Sequence, residues 1–193
     1  MTEHTMTNSN HGIAFEGFFR YFKDELMKQT ENKDFSDIYR DSRAYTKIIK
    51  EIMKSFPCGG YHYAPEYFTI DHTWWEEEKR TDESTKMVYY HWDFILAVEH
   101  ENNWRDWTYE AEKLDFVHSQ IKVVIGFQPN EKRRNIAKEK QIVEKQRRLM
   151  KHLNPDEKIY IILMNQDYAA DAADPFDFRC YELTKEDVAI LNP

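Results

Sequence analysis

One stretch of the chain puts acid directly after a buried run: Phe94-Ile95-Leu96-Ala97-Val98-Glu99-His100-Glu101-Asn102-Asn103. Its five apolar residues are too few to cross a membrane and suit a strand buried on both faces. Side chains alternate along a strand, so Glu99 and Glu101 share one face at its exit while His100 takes the other. Two carboxylates so placed, joined by a third acid from elsewhere, form an oxygen-ligand site for a hard cation. A strand that simply reaches solvent and ends in charge would show the same letters, so the surrounding elements matter.

Those elements follow from periodicity. Residues 13–29 put Phe15, Phe18, Phe19, Phe22 and Leu26 at helical spacing. Residues 36–55 predict a second helix, with Ser36 as N-cap, Ile38, Tyr45, Ile48, Ile49 and Ile52 as its apolar stripe, and Pro57 with Gly59-Gly60 as its stop. Residues 67–75 read as a strand interrupted by Asp71, 76–86 as a polar turn or protruding loop, and 87–101 as a long strand, the pair forming a β-hairpin. A helix over 104–118 (Trp107, Ala111, Leu114, Val117) and a buried strand over 121–127 then make a parallel βαβ crossover. Residues 132–153 form a third long helix with Ile136, Ile142, Val143, Leu149, Met150 and Leu153 on one face and most of its cations on the other, ended by Asn154-Pro155. A strand at 158–164, a loop at 166–177, a last strand at 178–183 and a short helix at 184–191 capped by Thr184 complete the chain. The class is α/β: a mixed central β-sheet flanked by helices, in a single domain over 13–193 after a disordered tail at 1–12.

Composition excludes several function classes. Hydrophobic residues at 41%, aromatics at 15% and only five Gly describe a globular chain rather than a disordered one. No apolar window approaches membrane length and the polar start lacks a secretory apolar segment, so a soluble cytoplasmic protein without a membrane partner is expected. Cys58 and Cys180 stand alone and are expected to be buried thiols, with neither a disulfide framework nor a cysteine zinc site. The histidines His72, His91, His100 and His118 match no ligand-pair spacing and are read as supporting residues. Gly-rich phosphate loops, serine elbows and cysteine-nucleophile signatures are missing, which argues against nucleotide binding and acyl transfer. A net charge of -8 argues against non-specific coating of nucleic acid. The charge is uneven, however: residues 131–151 carry nine Lys or Arg against three Glu.

An acid in the first strand of a hairpin (Asp71), an E-x-E at the end of the second (Glu99, Glu101), then a helix and a parallel strand resemble the PD-(D/E)XK nuclease superfamily. The resemblance covers residues 36–127. Ile70 stands where the motif's name has Pro, Glu101 replaces the usual Lys, and 28 positions separate Asp71 from Glu99, which requires a long hairpin. The chain is therefore similar to a divergent member with a restriction-endonuclease-like core (helix, hairpin, helix, strand), an added helix and C-terminal strands. The resemblance implies Asp71 and Glu99 as metal ligands and Glu101, or a lysine migrated to the following helix at Lys113, as the residue that orients water. It implies Glu51 as the acid contributed by a helix, with Glu16 and Glu25 as rivals.

Phosphodiester hydrolysis asks for a metal that draws charge out of the phosphate and lowers the pKa of water. Mg²⁺ or Mn²⁺ suits Asp71, Glu99, the Val98 or His100 carbonyl, and waters. A nearby cation would offset the repulsion of gathered carboxylates. Arg133, Arg134, Lys138, Lys145 and Arg148 would hold a nucleic-acid backbone, while Trp74, Trp75, Trp104 and Trp107 read as core and rim packing, with stacking on bases as the alternative. The expected function is a metal-dependent nuclease acting on DNA, which as a short chain would need a homodimer or a larger protein partner to read a duplex. The acidic charge and the missing Lys motivate a different class: a non-catalytic binding or regulatory protein with a degenerate nuclease-like fold.

Overall fold

Seven strands lie across one sheet in the order of the sequence: β1 (His62–Tyr67), β2 (Ile70–Thr81), β3 (Val88–His100), β4 (Ile121–Phe127), β5 (Ile159–Met164), β6 (Arg179–Leu183) and β7 (Val188–Leu191). β1, β2 and β3 pair antiparallel, β3, β4 and β5 parallel, and β5, β6 and β7 antiparallel again. Helices α1 (Phe15–Thr30), α2 (Ser42–Lys54), α3 (Trp107–Asp115) and α4 (Ile136–Leu149) flank it, so the class is α/β with a mixed central sheet. The computed structural model describes residues 13–31, 38, 41–103, 105–128, 136–165 and 176–192, with side chains at 78–80, 89–92 and 136 left aside. No helix among the described residues is long and apolar enough to cross a membrane.

Alternation in the strands divides the core in two. Leu96, Val98, Val123, Ile125 and Ile162 meet Phe18, Phe22, Leu26, Tyr45, Ile49 and Ile52 of α1 and α2 on one face. Ala97, Val124, Ile161 and Leu163 meet Trp107, Ala111 and Leu114 of α3 and Val143 of α4 on the other. β4 is buried along its whole length, as a parallel strand between two helical layers must be. α3 lies very close to it: a Cβ on Gly126 would stand 2.8 Å from Trp107 Cβ. The bare glycine backbone is what admits Trp107 there.

Several elements differ from the sequence expectation. The expected strand from Tyr67 is the second half of a hairpin: β1 precedes it, and Phe68 and Thr69 turn the chain with φ of 50° and 66°. Pro65 masked β1, yet proline is tolerated on the edge strand of a sheet. Residues 76–81 extend β2 rather than forming a loop, pairing from Glu76↔Asp93 to Thr81↔Val88. A ribbon that outruns the helical layers has solvent on both faces, so its polarity is compatible with strand. This length is what closes the 28-residue separation between Asp71 and Glu99.

Helix α2 is capped by Asp41, whose Oδ1 accepts the Arg43 and Ala44 N–H groups at 3.0 and 3.4 Å; the expected Ser36 cap lies outside the described residues. α4 stops at Leu149 because Asp115 Oδ2 accepts the N–H groups of Lys151 and His152 at 2.9 and 3.1 Å, drawing the chain away from the helix. Residues 188–191 form strand β7, not a helix. Thr184 does cap, but its Oγ1 receives the Glu186 and Asp187 N–H groups in a hairpin turn, and Val188-Ala189-Ile190-Leu191 continues by pairing with β6. Cys180 is buried as expected, while Cys58 is half-buried. The expected tail at 1–12 and most of the expected loop at 166–177 lie outside the described residues.

Candidate metal centre

The ladder between β2 and β3 puts Asp71 opposite Glu99, one step beyond the His72↔Val98 pair. Each acid is tied to the other's strand end: Asp71 Oδ2 accepts the His100 N–H at 2.9 Å, and the Asp71 N–H donates to Glu99 Oε2 at 3.4 Å. Glu99 is fully buried. Beyond it β3 continues along β4, with the Glu101 N–H donating to the Ile125 carbonyl.

Helix α3, held against β4 by Trp107, brings Lys113 to the same point. Its Nζ lies 2.8 Å from Glu99 Oε1 and 2.5 Å from Glu110 Oε2, and donates to the Thr69 carbonyl at 3.2 Å. The two carboxylate contacts are close but poorly aligned, so the buried Glu99 Oε1 and Glu110 Oε2 have a charge partner without a directed hydrogen bond. Glu110 was not among the sequence candidates. Its three-residue spacing from Lys113 on one helix is the signal that would have found it.

Burial pushes the Glu99 carboxyl up to about 9; contact with Lys113 opposes this and the Asp71 charge adds to it. Burial also acts to raise Asp71, but His100, through its ring and backbone N–H, and the Glu99 carboxyl outweigh it and hold Asp71 below its ordinary value. Burial alone would lower Lys113, yet its contacts with Glu110 and Glu99 lift it to about 12. Near neutral pH the centre therefore holds a charged Lys113, an ionised Asp71 and a proton on Glu99, as expected where two carboxyls share one buried place.

Among the described residues no group of three His, Cys, Asp or Glu is arranged to hold a metal ion. The donors at this strand end are two hard carboxylates, one with an undirected buried oxygen. Such a pair fits Mg²⁺ or Mn²⁺, which is held by one or two carboxylates and completes its shell with water and phosphate oxygens. It does not fit zinc, which takes tetrahedral nitrogen and sulfur sets.

The remaining candidates are less central. Glu101 Oε1 accepts the Asn103 N–H at 2.7 Å, which ties it to the turn after β3; burial first, and then Glu110, raise its carboxyl against the pull of the turn N–H groups. Glu51 lies exposed on α2, on the sheet face opposite Glu99 and Lys113. It lines an open groove of about 380 Å³ with Arg43, Lys47 and Lys50, and among the described residues no hydrogen bond or ion pair joins it to the carboxylate pair. Its rivals lie on α1: Glu16 is exposed and Glu25 pairs with Lys28 at 3.1 Å.

His72 and His100 stack at 5.5 Å behind the centre, on the α2 face, with the Tyr63 hydroxyl 3.0 Å from His72 Nδ1. Burial, followed by the His100 charge, pushes His72 down to about 3, so its ring is neutral. His118 instead pairs with Glu157 at 2.9 Å, distant in the fold.

Lys138, Lys145 and Arg148 are exposed on α4, which packs on the same sheet face as α3 through Val143 and through Glu139, the acceptor of the Tyr181 hydroxyl. Arg133 and Arg134 lie outside the described residues. Trp74 and Trp107 are each 2% exposed, so they are core residues and not base platforms; the apolar layers on both sheet faces claim them. Trp75 is half-buried and stacks on Tyr67 at 5.1 Å, while Trp104 lies outside the described residues.

Comparison of the chain with protein-family models, with curated proteins and with solved structures gives no match.

Proposed function

We propose that this chain is a metal-dependent nuclease that hydrolyses phosphodiester bonds in DNA, with Asp71 and Glu99 as the protein ligands of Mg²⁺ or Mn²⁺ and Lys113 as the residue that orients water. The supporting observation is convergence: three side chains spread over 42 positions meet at one strand end, with Lys113 Nζ 2.8 Å from Glu99 Oε1. The order of hairpin, helix and parallel strand on which the resemblance to PD-(D/E)XK nucleases rests supports the same reading.

The chemistry supplied by a bound divalent cation is charge withdrawal from the phosphate and a lower pKa for the attacking water. Asp71 is ready for it, ionised and held in place by the His100 N–H. Glu99 must release its proton to become a ligand. Lys113 keeps its proton at neutral pH, so it donates rather than accepts: it orients the water and offsets charge developing on the phosphate. Exposed cations on α4 lie on the same side of the sheet and supply an approach for the backbone.

The test is a cleavage assay on single- and double-stranded DNA and RNA with Mg²⁺, with Mn²⁺ and with chelator. Activity in metal that disappears in Glu99→Ala is expected; inactivity of the pure protein on all four substrates in both metals refutes the reading. One observation favours the non-catalytic alternative. Lys113 is already engaged by Glu99 and Glu110, an arrangement that also serves as a structural ion cluster. Under that reading calorimetry detects no Mg²⁺ or Mn²⁺ binding at pH 8.

A further inference from the structure

Helix α2 turns a row of like charges to the surface. Arg43, Lys47, Lys50 and Lys54 recur at steps of four, three and four residues, so they lie along one ridge of the helix. The buried side is the opposite one, formed by Tyr45, Ile49, Ile52 and Met53. Arg43, Lys47 and Lys50 line the open groove of about 380 Å³, to which Ser42 and Thr46 add hydroxyls and Glu51 the one acid.

Helix stability does not account for the row. Like charges three and four positions apart repel one another. Arg43 stands in the first turn, where the helix dipole favours acid, and no acid follows the Asp41 cap there. The chain carries a net charge of -8, so carboxylates are plentiful, yet among the described residues Lys50 alone of the four has an ion pair, with Glu66 at 2.5 Å. The exposed side of α1 is built differently: Lys28 pairs with Glu25 at 3.1 Å, and Glu16 and Asp24 stand among Arg20 and Lys23.

The row also reaches the carboxylate centre. Glu66, the partner of Lys50, and Thr69, whose carbonyl accepts from Lys113 Nζ at 3.2 Å, flank the same β1–β2 turn, from which the chain leads on to Asp71. Burial is the main cause that lowers His100, and the Lys50 and Lys113 charges both add to it against the pull of Asp71. Lys50 therefore acts on the same strand end as Lys113.

We infer that the ridge of Arg43, Lys47, Lys50 and Lys54 on α2 is a track for the phosphodiester backbone of DNA, meeting the carboxylate centre at the β1–β2 turn. The inference rests on the nuclease reading for the identity of its occupant. Eleven residues of helix span about 16 Å at 1.5 Å each, a length over which one DNA strand presents about five phosphates. Contacts to phosphate fix position and carry no sequence information, so the track holds any sequence.

The experiment is fluorescence anisotropy of a labelled DNA duplex across a salt series, in chelator so that nothing is cleaved. The double variant Arg43→Gln with Lys47→Gln should bind about ten-fold or more weaker at 0.1 M salt, and its log–log salt slope should be shallower by about 2. Arg20→Gln with Lys28→Gln, the same change of charge on α1, should leave the slope as in wild type, and so should the charge-conserving Arg43→Lys with Lys47→Arg. Neutralising the ridge should leave Tm unchanged or raise it, since repulsion is relieved. A wild type that does not bind the duplex overturns the track, as does an α2 variant whose slope matches wild type or the α1 control. Displacement of the duplex by polyglutamate at equal charge also overturns it, because the groove then takes an acidic polypeptide. Cleavage by wild type in Mg²⁺ is read separately. Cleavage with a salt slope indifferent to α2 removes the track and leaves the nuclease reading; α2-dependent binding without cleavage in either metal supports the track and removes hydrolysis.

Discussion

Replacing Lys113 by Met keeps the apolar stem and removes the ammonium, which isolates the charge balance of the centre. The Lys113 side chain is 23% exposed and its amine is lifted from 10.5 to about 12 by Glu110 and Glu99. A rise of about one and a half pH units, at about 1.4 kcal/mol each, gives a net contribution of about 2 kcal/mol. Because the folded pKa is raised, this stability is fully present below the unfolded value near 10.5 and is lost only as pH climbs through about 12. Urea denaturation of Lys113→Met at pH 7, where Glu99 holds a proton and Glu110 supplies the opposite charge, should therefore show up to about 2 kcal/mol less stability, or a Tm lower by up to roughly 4–8 °C for a chain of this length. The amine stays charged throughout, and the deficit should grow toward pH 9 as Glu99 ionises beside it. Cleavage should fall by about a hundred-fold or more, the usual loss when a donor aimed at developing charge is removed. A variant as stable as wild type at pH 7 would refute the ion-pair reasoning, whatever its activity.

Glu99→Gln addresses the proton held at the same place. A carboxyl raised to about 9 in the fold, against 4.5 ordinarily, contributes stability that is present at acid pH and lost as pH rises through that window. Wild-type stability should fall from pH 5 to 9 and the variant's profile should be flatter by chemical denaturation; a steeper variant profile contradicts the assignment. Gly126→Ala puts a Cβ 2.8 Å from Trp107 Cβ and 3.0 Å from its Cγ, so α3 must shift. A loss of about 1–3 kcal/mol is expected, with activity falling further because Lys113 moves with the helix; an unchanged Tm would mean that α3 is not clamped there. Phe68→Gly should do the reverse, gaining about 1 kcal/mol by relieving a left-handed residue. Calorimetric melting showing a lower Tm would deny that the turn is strained.

Much of the centre was legible because strands alternate and helices repeat. Glu99 and His100 were assigned to opposite faces from adjacency alone, and they do face α3 and α2 respectively. Lys113 was named from its place on the helix after the E-x-E, and that helix does return it to Glu99. Glu51 follows only from the resemblance, which asks for an acid on a helix but carries no information about which sheet face that helix covers here. The polar residues 76–81 looked like loop because polarity argues against a half-buried strand, yet a two-stranded ribbon with solvent on both faces needs no apolar side. Val188-Ala189-Ile190-Leu191 reads as helical behind a capping Thr184. The same hydroxyl caps a hairpin turn, and only pairing with β6, a non-local fact, decides between them.

The order of the strands bears on how the chain reaches this state. Every described strand lies beside its neighbours in sequence, so none of them has to insert between two already in place. Each new strand can dock on the growing edge as the chain lengthens, which keeps loop closure short and leaves few opportunities for misregister. Asp71, Glu99 and Lys113 lie on β2, β3 and α3, all N-terminal to β4 and α4. The two acids can therefore meet across the β2–β3 hairpin while solvent still reaches them, whereas Lys113 reaches Glu99 only once β4 has docked and holds α3 through Trp107.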